Sequence, residues 1–327
     1  MTDDGNRGDD RKDQNDHKGF VVLVVLVVLV ISAVARGDAQ SAPPAPRFDG
    51  NRAYEDLRRM VGFGPRPSGS ATLQQTRDYI KQELAAAGLK TEELPFDAQT
   101  PLGAIPMINL RATLPGGPAR AGAGRRPGRG RIVIGGHYDT KLTRAFPFVG
   151  ASDGASSAAF LLELARALKG RANPLPIELL FLDGEEAVVD WNLPNAKDHT
   201  YGSRHYVQQA TRAGTVNDIR AFVLVDMIGD RELTIRRERH STPWLTDIIW
   251  AAAKRLRRPE FLEESTAIED DHLEFLEAGI ASVDIIDLDY PAWHTADDNL
   301  AHVAARSLQT VADVLLAALP AIESRLK

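Results

Sequence analysis

Apolar runs that end in polar residues alternate along this chain with segments of helical period, and this alternation constrains the fold most strongly. The apolar runs are predicted as strands at Met107–Leu114, Arg131–Asp139, Ile177–Asp183, Ala221–Gly229 and Ala281–Asp287. Several are apolar at nearly every position, which is typical of strands buried on both faces. The segments of helical period are predicted as helices at Asn51–Met60, Thr72–Ala87, Ala155–Leu168, Tyr201–Ala213, Pro243–Leu256, His272–Ala278 and Ala304–Leu326. Such alternation predicts a single three-layer α/β domain, with a central mixed, mostly parallel sheet flanked by helices.

The first 50 residues have a different character from this domain. Residues 1–19 are polar, residues 20–35 contain no charge, and residues 36–50 form a proline-containing linker before the predicted domain at 51–327. The uncharged run falls between a signal-peptide core of about 7–15 residues and a spanning helix of about 17–25. We therefore predict a cytoplasmic polar tail, then a signal anchor or signal peptide, and an exported domain that is membrane-anchored, periplasmic or extracellular.

Net charge and cysteine content restrict the partners and the metal ligands that this chain can have. The formal net charge is -6, so no overall basic field attracts nucleic acid, and we expect no nucleic-acid partner. The chain has 0 Cys, which excludes disulfides, thiolate metal sites and a cysteine nucleophile. Any metal must therefore be held by His, Asp or Glu.

Acidic and histidine side chains stand where the predicted strands end. The residues are His137, Asp139, Asp153, Asp183, Glu185, Glu186, Asp226, Glu269, Asp270, Asp271, His272 and His294. In open α/β sheets, ligands bind beyond the carboxyl ends of the strands, so these groups are expected to converge on one crevice. Carboxylates crowded together repel one another unless a cation neutralises them, and a His, Asp and Glu donor set favours a hydrolytic metal, zinc first.

Two of these positions have a functional and a structural interpretation. Asp153 precedes a predicted helix and could be an ordinary N-cap, while Asp139 could orient a ligand or simply end a strand. The adjacent Glu185 and Glu186 point in different directions after a strand, so one can bind metal while the other moves protons.

Several motifs together resemble the co-catalytic zinc aminopeptidase superfamily, and most closely its glutaminyl-peptide cyclotransferase branch. The resemblance covers about residues 50–320. Its motifs are Gly64-Pro-Arg-Pro-Ser-Gly, His137-Tyr-Asp-Thr-Lys, Phe148-Val-Gly-Ala-Ser-Asp, Phe181-Leu-Asp-Gly-Glu-Glu-Ala, Tyr201-Gly-Ser-Arg-His, Asp226-Met-Ile-Gly, Glu269-Asp-Asp-His and Trp293-His-Thr-Ala-Asp-Asp-Asn.

The resemblance assigns roles position by position. It implies that Asp153, Glu186 and His294 bind a single Zn²⁺ and that Glu185 is the general acid and base. It implies that Asp226 and Asp270 form a hydrogen-bonded relay near the substrate amine. The implied reaction converts the N-terminal Gln of peptides or proteins to pyroglutamate and releases ammonia.

The resemblance also makes Trp191 and Trp293 walls of the substrate pocket. A lone Trp is more often a core residue. We assign that core role to Trp244 and Trp250, which lie in a predicted helix, whereas Trp191 and Trp293 flank the acid pair and the late histidine.

Two other functions remain open at this stage. In aminopeptidase relatives, His137 and Asp226 would hold a second zinc with Asp153 bridging, so the chain could be a di-zinc aminopeptidase that hydrolyses N-terminal residues. It could also be a membrane-tethered binding ectodomain without activity. The intact set of acids argues against that last alternative, because unpaired buried carboxylates are costly.

Overall fold

The computed structural model describes residues 47–117, 130–194 and 197–326. The predicted polar tail, the apolar run at 20–35 and most of the linker lie outside the described residues, so the predictions made for them stay predictions.

The central sheet has six strands in the order β1-β2-β4-β3-β5-β8. The strands are β1 (Thr91–Thr100), β2 (Gly103–Leu114), β3 (Arg131–His137), β4 (Ile177–Leu182), β5 (Ile219–Asp226) and β8 (Ser282–Ile286), and a separate two-stranded sheet pairs β6 (Ile235–Glu238) with β7 (Phe261–Thr266). Strands β4, β3, β5 and β8 run parallel, while β1 and β2 form an antiparallel hairpin at one edge. The predicted mixed, mostly parallel sheet is confirmed.

Helices cover both faces of this sheet. They are α1 (Gly50–Val61), α2 (Ala71–Ala86), α3 (Ala155–Leu168), α4 (Tyr201–Arg212), α5 (Pro243–Leu256), α6 (His272–Glu277) and α7 (Ala305–Arg325). Alternate residues of β3 show the layering, because Ile132 and Ile134 pack with α1, α2, α3, α5 and α7, while Val133 packs with α4 and α6. Side chains alternate across a strand, so a strand between two helix layers must be apolar at every position.

The chain path places the crevice beside β3. From β3 the chain crosses to β4 on one side, and it later adds β5 and β8 on the other. This reversal of winding separates the loops that follow neighbouring strands and opens a crevice at their carboxyl ends. The acid and histidine motifs lie at that end of the sheet.

Three strands were not predicted, and their sequences explain why. Strand β1 is an edge strand with mostly exposed or half-exposed side chains and contains Pro95, so it lacks the apolar run of a buried strand. Strands β6 and β7 are short and largely polar. Two predicted strands are shorter at their carboxyl ends in the structure. The strand predicted to reach Asp139 ends at His137, and the strand predicted to reach Gly229 ends at Asp226.

Helix α7 is long and apolar enough to cross a membrane by length and composition, with a mean hydropathy of 1.2. Within the domain, 56% of its apolar window is buried. Leu308, Val311, Leu315 and Leu319 belong to the core that α7 shares with α1 and α5. The hydropathy of α7 is therefore accounted for by core packing.

Candidate active site

Asp153, Glu186 and His294 meet at the carboxyl end of the sheet. Each offers one ligand atom, and the three atoms lie within 4.8 Å of one another. His294 Nε2 is 3.4 Å from Asp153 Oδ2 and 3.3 Å from Glu186 Oε1. Asp153 stands before α3, Glu186 follows β4 and His294 follows β8, so only the fold brings them together.

The donor atoms of this group fit a zinc ion. Asp153 Oδ2 and both carboxylate oxygens of Glu186 are buried without a hydrogen-bond partner among the described residues. Buried carboxylate oxygens normally have hydrogen-bond partners, so carboxylate oxygens without them, grouped beside a histidine nitrogen, fit a set of metal ligands. Ligands bound to zinc at 2.0–2.2 Å in a tetrahedron are about 3.4 Å apart, which matches the separations from His294 Nε2 to the two carboxylates.

The backbone around Asp153 is set by glycine and by a neighbouring acid. Gly154, the residue at the start of α3, has a φ of 87°, and a Cβ there would lie 2.4 Å from the carbonyl oxygen of Asp139. The Asp298 carboxylate accepts the backbone N–H groups of Ser152 and Asp153 at 2.7 and 3.1 Å. The N-cap interpretation of Asp153 is wrong, because Gly154 is the cap residue and no side chain caps this helix.

His294 carries a strained backbone and a raised pKa. Its φ of 54° lies in the left-handed region, which is uncommon for residues other than glycine and costs of order 1–3 kcal/mol. Burial lowers the pKa of its imidazole, but contacts with Asp153 and Glu186 raise it to about 9. The strain is consistent with a side chain held in place for function.

His137 and Asp226 form a second group around Asp153. His137 Nε2 lies 3.0 Å from Asp226 Oδ1 and 3.2 Å from Asp153 Oδ1. Asp226 Oδ1 also accepts a hydrogen bond from Ser157 at 3.2 Å. His137, Asp153 and Asp226 together could hold a metal ion. In contrast with the first group, His137 Nε2 and Asp226 Oδ1 already pair with each other, although His137 Nδ1 has no hydrogen-bond partner among the described residues.

Asp139 lies beside His137, with Oδ1 3.4 Å from His137 Nδ1, and accepts the backbone N–H of Glu185 at 3.3 Å. It therefore links the end of β3 to the acid pair, as its orienting interpretation predicts. Glu185 Oε2 approaches the same His137 nitrogen at 3.9 Å. Burial raises the pKa of Glu185 well above its usual range, and Asp270 and Glu186 add to the rise.

Asp270 lies on the loop between β7 and α6 and lines the same cavity as Glu185 and Asp226. Burial raises the pKa of Asp270 well above its usual range, and the charges of Asp226 and Asp271 add to the rise. The structure thus brings the predicted acid–base residues together, each as a buried carboxyl. Such a group favours the protonated state on at least one member, which is the condition for proton transfer.

A cavity of about 560 Å³ opens above these residues and is walled by the two predicted tryptophans. Trp191 stacks on His199 at 3.9 Å and donates from Nε1 to Glu269 at 3.3 Å. Trp293 stacks on the His294 ring at 4.3 Å and is 43% exposed. Neither is a core residue. Of the two tryptophans predicted for the core, Trp250 is buried, while Trp244 is half-buried and packs against the core.

Replacing Trp191 or Trp293 by Ala should weaken substrate use by about 1–3 kcal/mol, or roughly 5- to 150-fold in kcat/KM. An aromatic wall orients the substrate without binding metal, so zinc content should not change. Steady-state kinetics and metal analysis on each variant test this. Trp244→Ala is the matched control, because Trp244 lies on α5 against Arg325 and does not line the cavity. Loss of folded protein by circular dichroism, with no kinetic defect in the folded fraction, would contradict the assignment.

Sequence reasoning missed several residues that shape the site. The sequence motifs contain Lys141 but indicate no role for it; its Nζ lies 3.8 Å from Glu186 Oε2. The same is true of Asp298, which binds the backbone at Ser152 and Asp153. Glu238 and Asp284 were not singled out at all, although an acid inside the apolar strand β8 is a signal that could have been read.

The fold and this site define the class: a three-layer α/β domain of the zinc aminopeptidase type, with its acids and histidines at the carboxyl ends of the parallel strands. Comparisons with known proteins agree. The sequence pattern of peptidase family M28 matches residues 120–319. A glutaminyl-peptide cyclotransferase-like protein of Bos taurus is 33% identical, over 82% of this chain and 75% of its own.

Solved structures similar to this chain include glutaminyl cyclases and an aminopeptidase precursor. The crystal structure of an Acidobacteriales bacterium glutaminyl cyclase has a TM-score of 0.78 and 37% identity, over 88% of this chain and 100% of that one. A leucine aminopeptidase precursor from Bacteroides thetaiotaomicron has a TM-score of 0.74 and 26% identity, over 85% and 99%. The chain belongs to peptidase family M28, in its glutaminyl-peptide cyclotransferase branch. Its relatives support an enzymatic function.

Proposed function

We propose that this protein is a zinc-dependent glutaminyl-peptide cyclotransferase, which converts the N-terminal Gln of peptides or proteins to pyroglutamate with release of ammonia. One observation carries the proposal. A buried carboxyl, Glu185, shares a tryptophan-walled cavity with the three metal-type ligands Asp153, Glu186 and His294. Asp153 Oδ2 and both Glu186 carboxylate oxygens have no hydrogen-bond partner in the described part of the chain. The relatives named as glutaminyl cyclases support the same activity.

Asp153, Glu186 and His294 are the residues that would hold the zinc. When bound, zinc supplies a Lewis acid that polarises the side-chain amide carbonyl of the substrate glutamine. The fit rests on the separations and on the orphaned oxygens described above. His137 and Asp226, which pair with each other, are proposed to support this group from behind and not to bind a second ion.

Glu185 is proposed to move the protons. It would take a proton from the attacking α-amine and deliver one to the departing nitrogen, so that the amide leaves as ammonia. Burial raises the pKa of Glu185, which helps this carboxyl to hold a proton before donating it. Asp226 and Asp270 are proposed to accept hydrogen bonds from the substrate amine and to fix its direction of attack.

Trp191 and Trp293 are proposed to fold the glutamine side chain back on its own amine. The reaction is intramolecular, so holding the amine against the amide carbon supplies much of the acceleration. The exposed Trp293 and the half-buried Trp191 both line this cavity. Water has no required role in this reaction.

Ammonia release from a Gln-initiated peptide, measured beside cleavage of an aminoacyl anilide, tests the proposed activity. We expect ammonia and a peptide that stays whole, with no cleavage of the anilide. The same peptide with N-terminal Asn is the matched control, because its shorter side chain cannot close the same five-membered ring. Release of a free N-terminal residue from peptides that lack Gln would contradict the proposal.

A di-zinc aminopeptidase is the second candidate, and a specific observation favours it. His137, Asp153 and Asp226 could hold a second metal, as the aminopeptidase reading requires. Glu185 would then activate water for hydrolysis of the peptide bond. The hydrogen bonds among His137, Asp226 and Ser157 weigh against this reading, because they already use the atoms that a second ion would need.

The site of action is proposed from the sequence. The uncharged run at residues 20–35 would export the domain, which would act on peptides or proteins as an anchored, periplasmic or extracellular enzyme.

A further inference from the structure

A buried carboxylate outside the cavity, Glu238, gathers five donors at the end of β6. Its Oε1 accepts the backbone N–H groups of His240 and Ile268 at 2.9 and 3.2 Å. Its Oε2 accepts the N–H and hydroxyl of Ser241 at 2.6 and 2.9 Å and lies 3.1 Å from His272 Nε2. Burial raises the pKa of Glu238, but hydrogen bonds from His272 and His240 lower it to about 2, so Glu238 stays an ionised acceptor.

His272 lies between two acids and is itself fully buried. Because the Glu238 carboxylate can only accept, the proton is on His272 Nε2. The other ring nitrogen, Nδ1, then faces Asp284 Oδ2 at 3.7 Å. Both carboxyl oxygens of Asp284 and His272 Nδ1 are buried without a hydrogen-bond partner within the described ranges, so Asp284 contacts the ring as a neighbouring acid and not through a hydrogen bond.

The contacts of Glu238 frame the segment that carries Asp270. Ile268 lies two residues before Asp270 and His272 lies two after it, and both are bound to the same carboxylate. Asp271, between them, accepts a hydrogen bond from Ser203 on α4. Asp270 therefore lies at the middle of a five-residue segment, and the residues at both ends of that segment, Ile268 and His272, are hydrogen-bonded to the Glu238 carboxylate.

We propose that Glu238, His272 and Asp284 form a buried positioning relay that holds Asp270 at the substrate amine. None of the three lines the cavity, so they act through Asp270 and not on the substrate. The proposal rests on the cyclotransferase function and on the role of Asp270 in it. Its physical basis is that a carboxyl displaced by a fraction of an ångström loses the alignment on which proton transfer depends.

Two substitutions of His272 separate the effect of its hydrogen bond to Glu238 from the effect of removing the ring. A Gln amide nitrogen can take the place of His Nε2, so His272→Gln keeps the donor to Glu238. His272→Asn is too short to reach it. We expect His272→Asn and Glu238→Gln to lower kcat by about 10- to 100-fold, the usual cost of losing such a supporting partner. KM should change little, and His272→Gln should retain most of the wild-type kcat.

A double-mutant cycle with Asp270 decides whether the relay acts through this residue. Asp270→Asn should lower kcat, and adding His272→Asn to it should cause no further loss, because the group being positioned is already disabled. Kinetics of ammonia release are measured on wild type, both single variants and the double variant. Losses that multiply, an Asp270→Asn variant with wild-type kcat, or a His272→Asn variant with wild-type kcat would each overturn the proposal.

A control variant in another buried ion pair separates a loss of kcat from a general loss of stability. Glu323 accepts two hydrogen bonds from Arg171 at 2.5 and 2.6 Å, away from the cavity. Glu323→Gln should lower Tm, as the relay variants do, but leave kcat unchanged. A wild type that releases no ammonia from a Gln peptide contradicts the proposed function itself. A wild type that releases ammonia, with relay losses that multiply, contradicts only the positioning role.

Discussion

Glu185→Gln should lower the rate of ammonia release by roughly 10²–10⁴-fold while leaving the protein folded and able to bind zinc. The amide is nearly the same size as the carboxyl but cannot accept a proton from the attacking amine. Glu185 approaches His137 but is not one of the three metal-type ligands, so the donor atoms of that group remain. Substrate binding, measured with a non-reacting analogue, should be close to that of the wild type.

Glu274→Gln is the matched control for this substitution. Glu274 is also a buried glutamate, but it pairs with Lys197 at 2.6 Å and Thr200 at 3.1 Å and does not line the cavity. It should keep the wild-type rate. A Glu185→Gln variant with full activity would show that proton transfer runs through another group. Loss of zinc in Glu185→Gln would instead make Glu185 a ligand.

The pH dependence of the wild type, measured as the rate of ammonia release, tests whether the attacking amine must be neutral. A cyclase must attack with a neutral amine, whose pKa in peptides is about 7.7–8.0. Activity should therefore rise from neutral towards mildly alkaline pH.

His294→Ala should remove zinc and activity together. It deletes one of three protein ligands, and the remaining two carboxylates repel each other without the ion between them. We expect kcat/KM to fall by more than the roughly 100-fold upper range seen when a supporting partner is lost. Elemental analysis of wild-type protein should give about one zinc per chain, and the variant should carry far less than one.

His302→Ala controls for the loss of a histidine as such, since His302 is exposed eight residues further along the chain. It should keep both zinc and activity. Two tightly bound zinc ions in the wild type would favour the aminopeptidase candidate, because the group of His137, Asp153 and Asp226 would then be filled. A His294→Ala variant that retains zinc would mean that the ion sits elsewhere.

Buried strands and long amphipathic helices were predictable because their patterns are local. Strand β4 is buried at every position, and α3 is buried at every position except Arg166. Apolar and small residues dominate both segments, so the local sequence is enough to predict that each lies inside the domain. The polar edge strand β1 and the short β6–β7 pair carry no such pattern. They are strands because the backbone of a neighbouring strand hydrogen-bonds to each of them, and this pairing depends on the tertiary structure.

Much of the candidate site was also predictable, but only as a list of residues. Acids and histidines at strand ends indicated a crevice, and the motif order indicated the family, which the comparisons confirm. Asp298 and Glu238 were beyond this reasoning. Asp298 accepts the backbone N–H groups of Ser152 and Asp153, and Glu238 accepts that of Ile268, all of them distant in sequence. Nothing in the local pattern of either acid marks that role.

The sequence by itself determined the layers of the domain, the set of chemically capable side chains and the family. These follow from residue type and spacing, which act over one helix turn or one strand. Only the tertiary structure decided which donors stay free. Asp153 Oδ2 and both Glu186 oxygens have no hydrogen-bond partner in the described part of the chain, whereas His137 Nε2 and Asp226 Oδ1 are paired with each other, although both groups contain the same kinds of residue. The difference is one of distance and direction between side chains on separate loops, and those are fixed when the sheet forms and its strand ends meet.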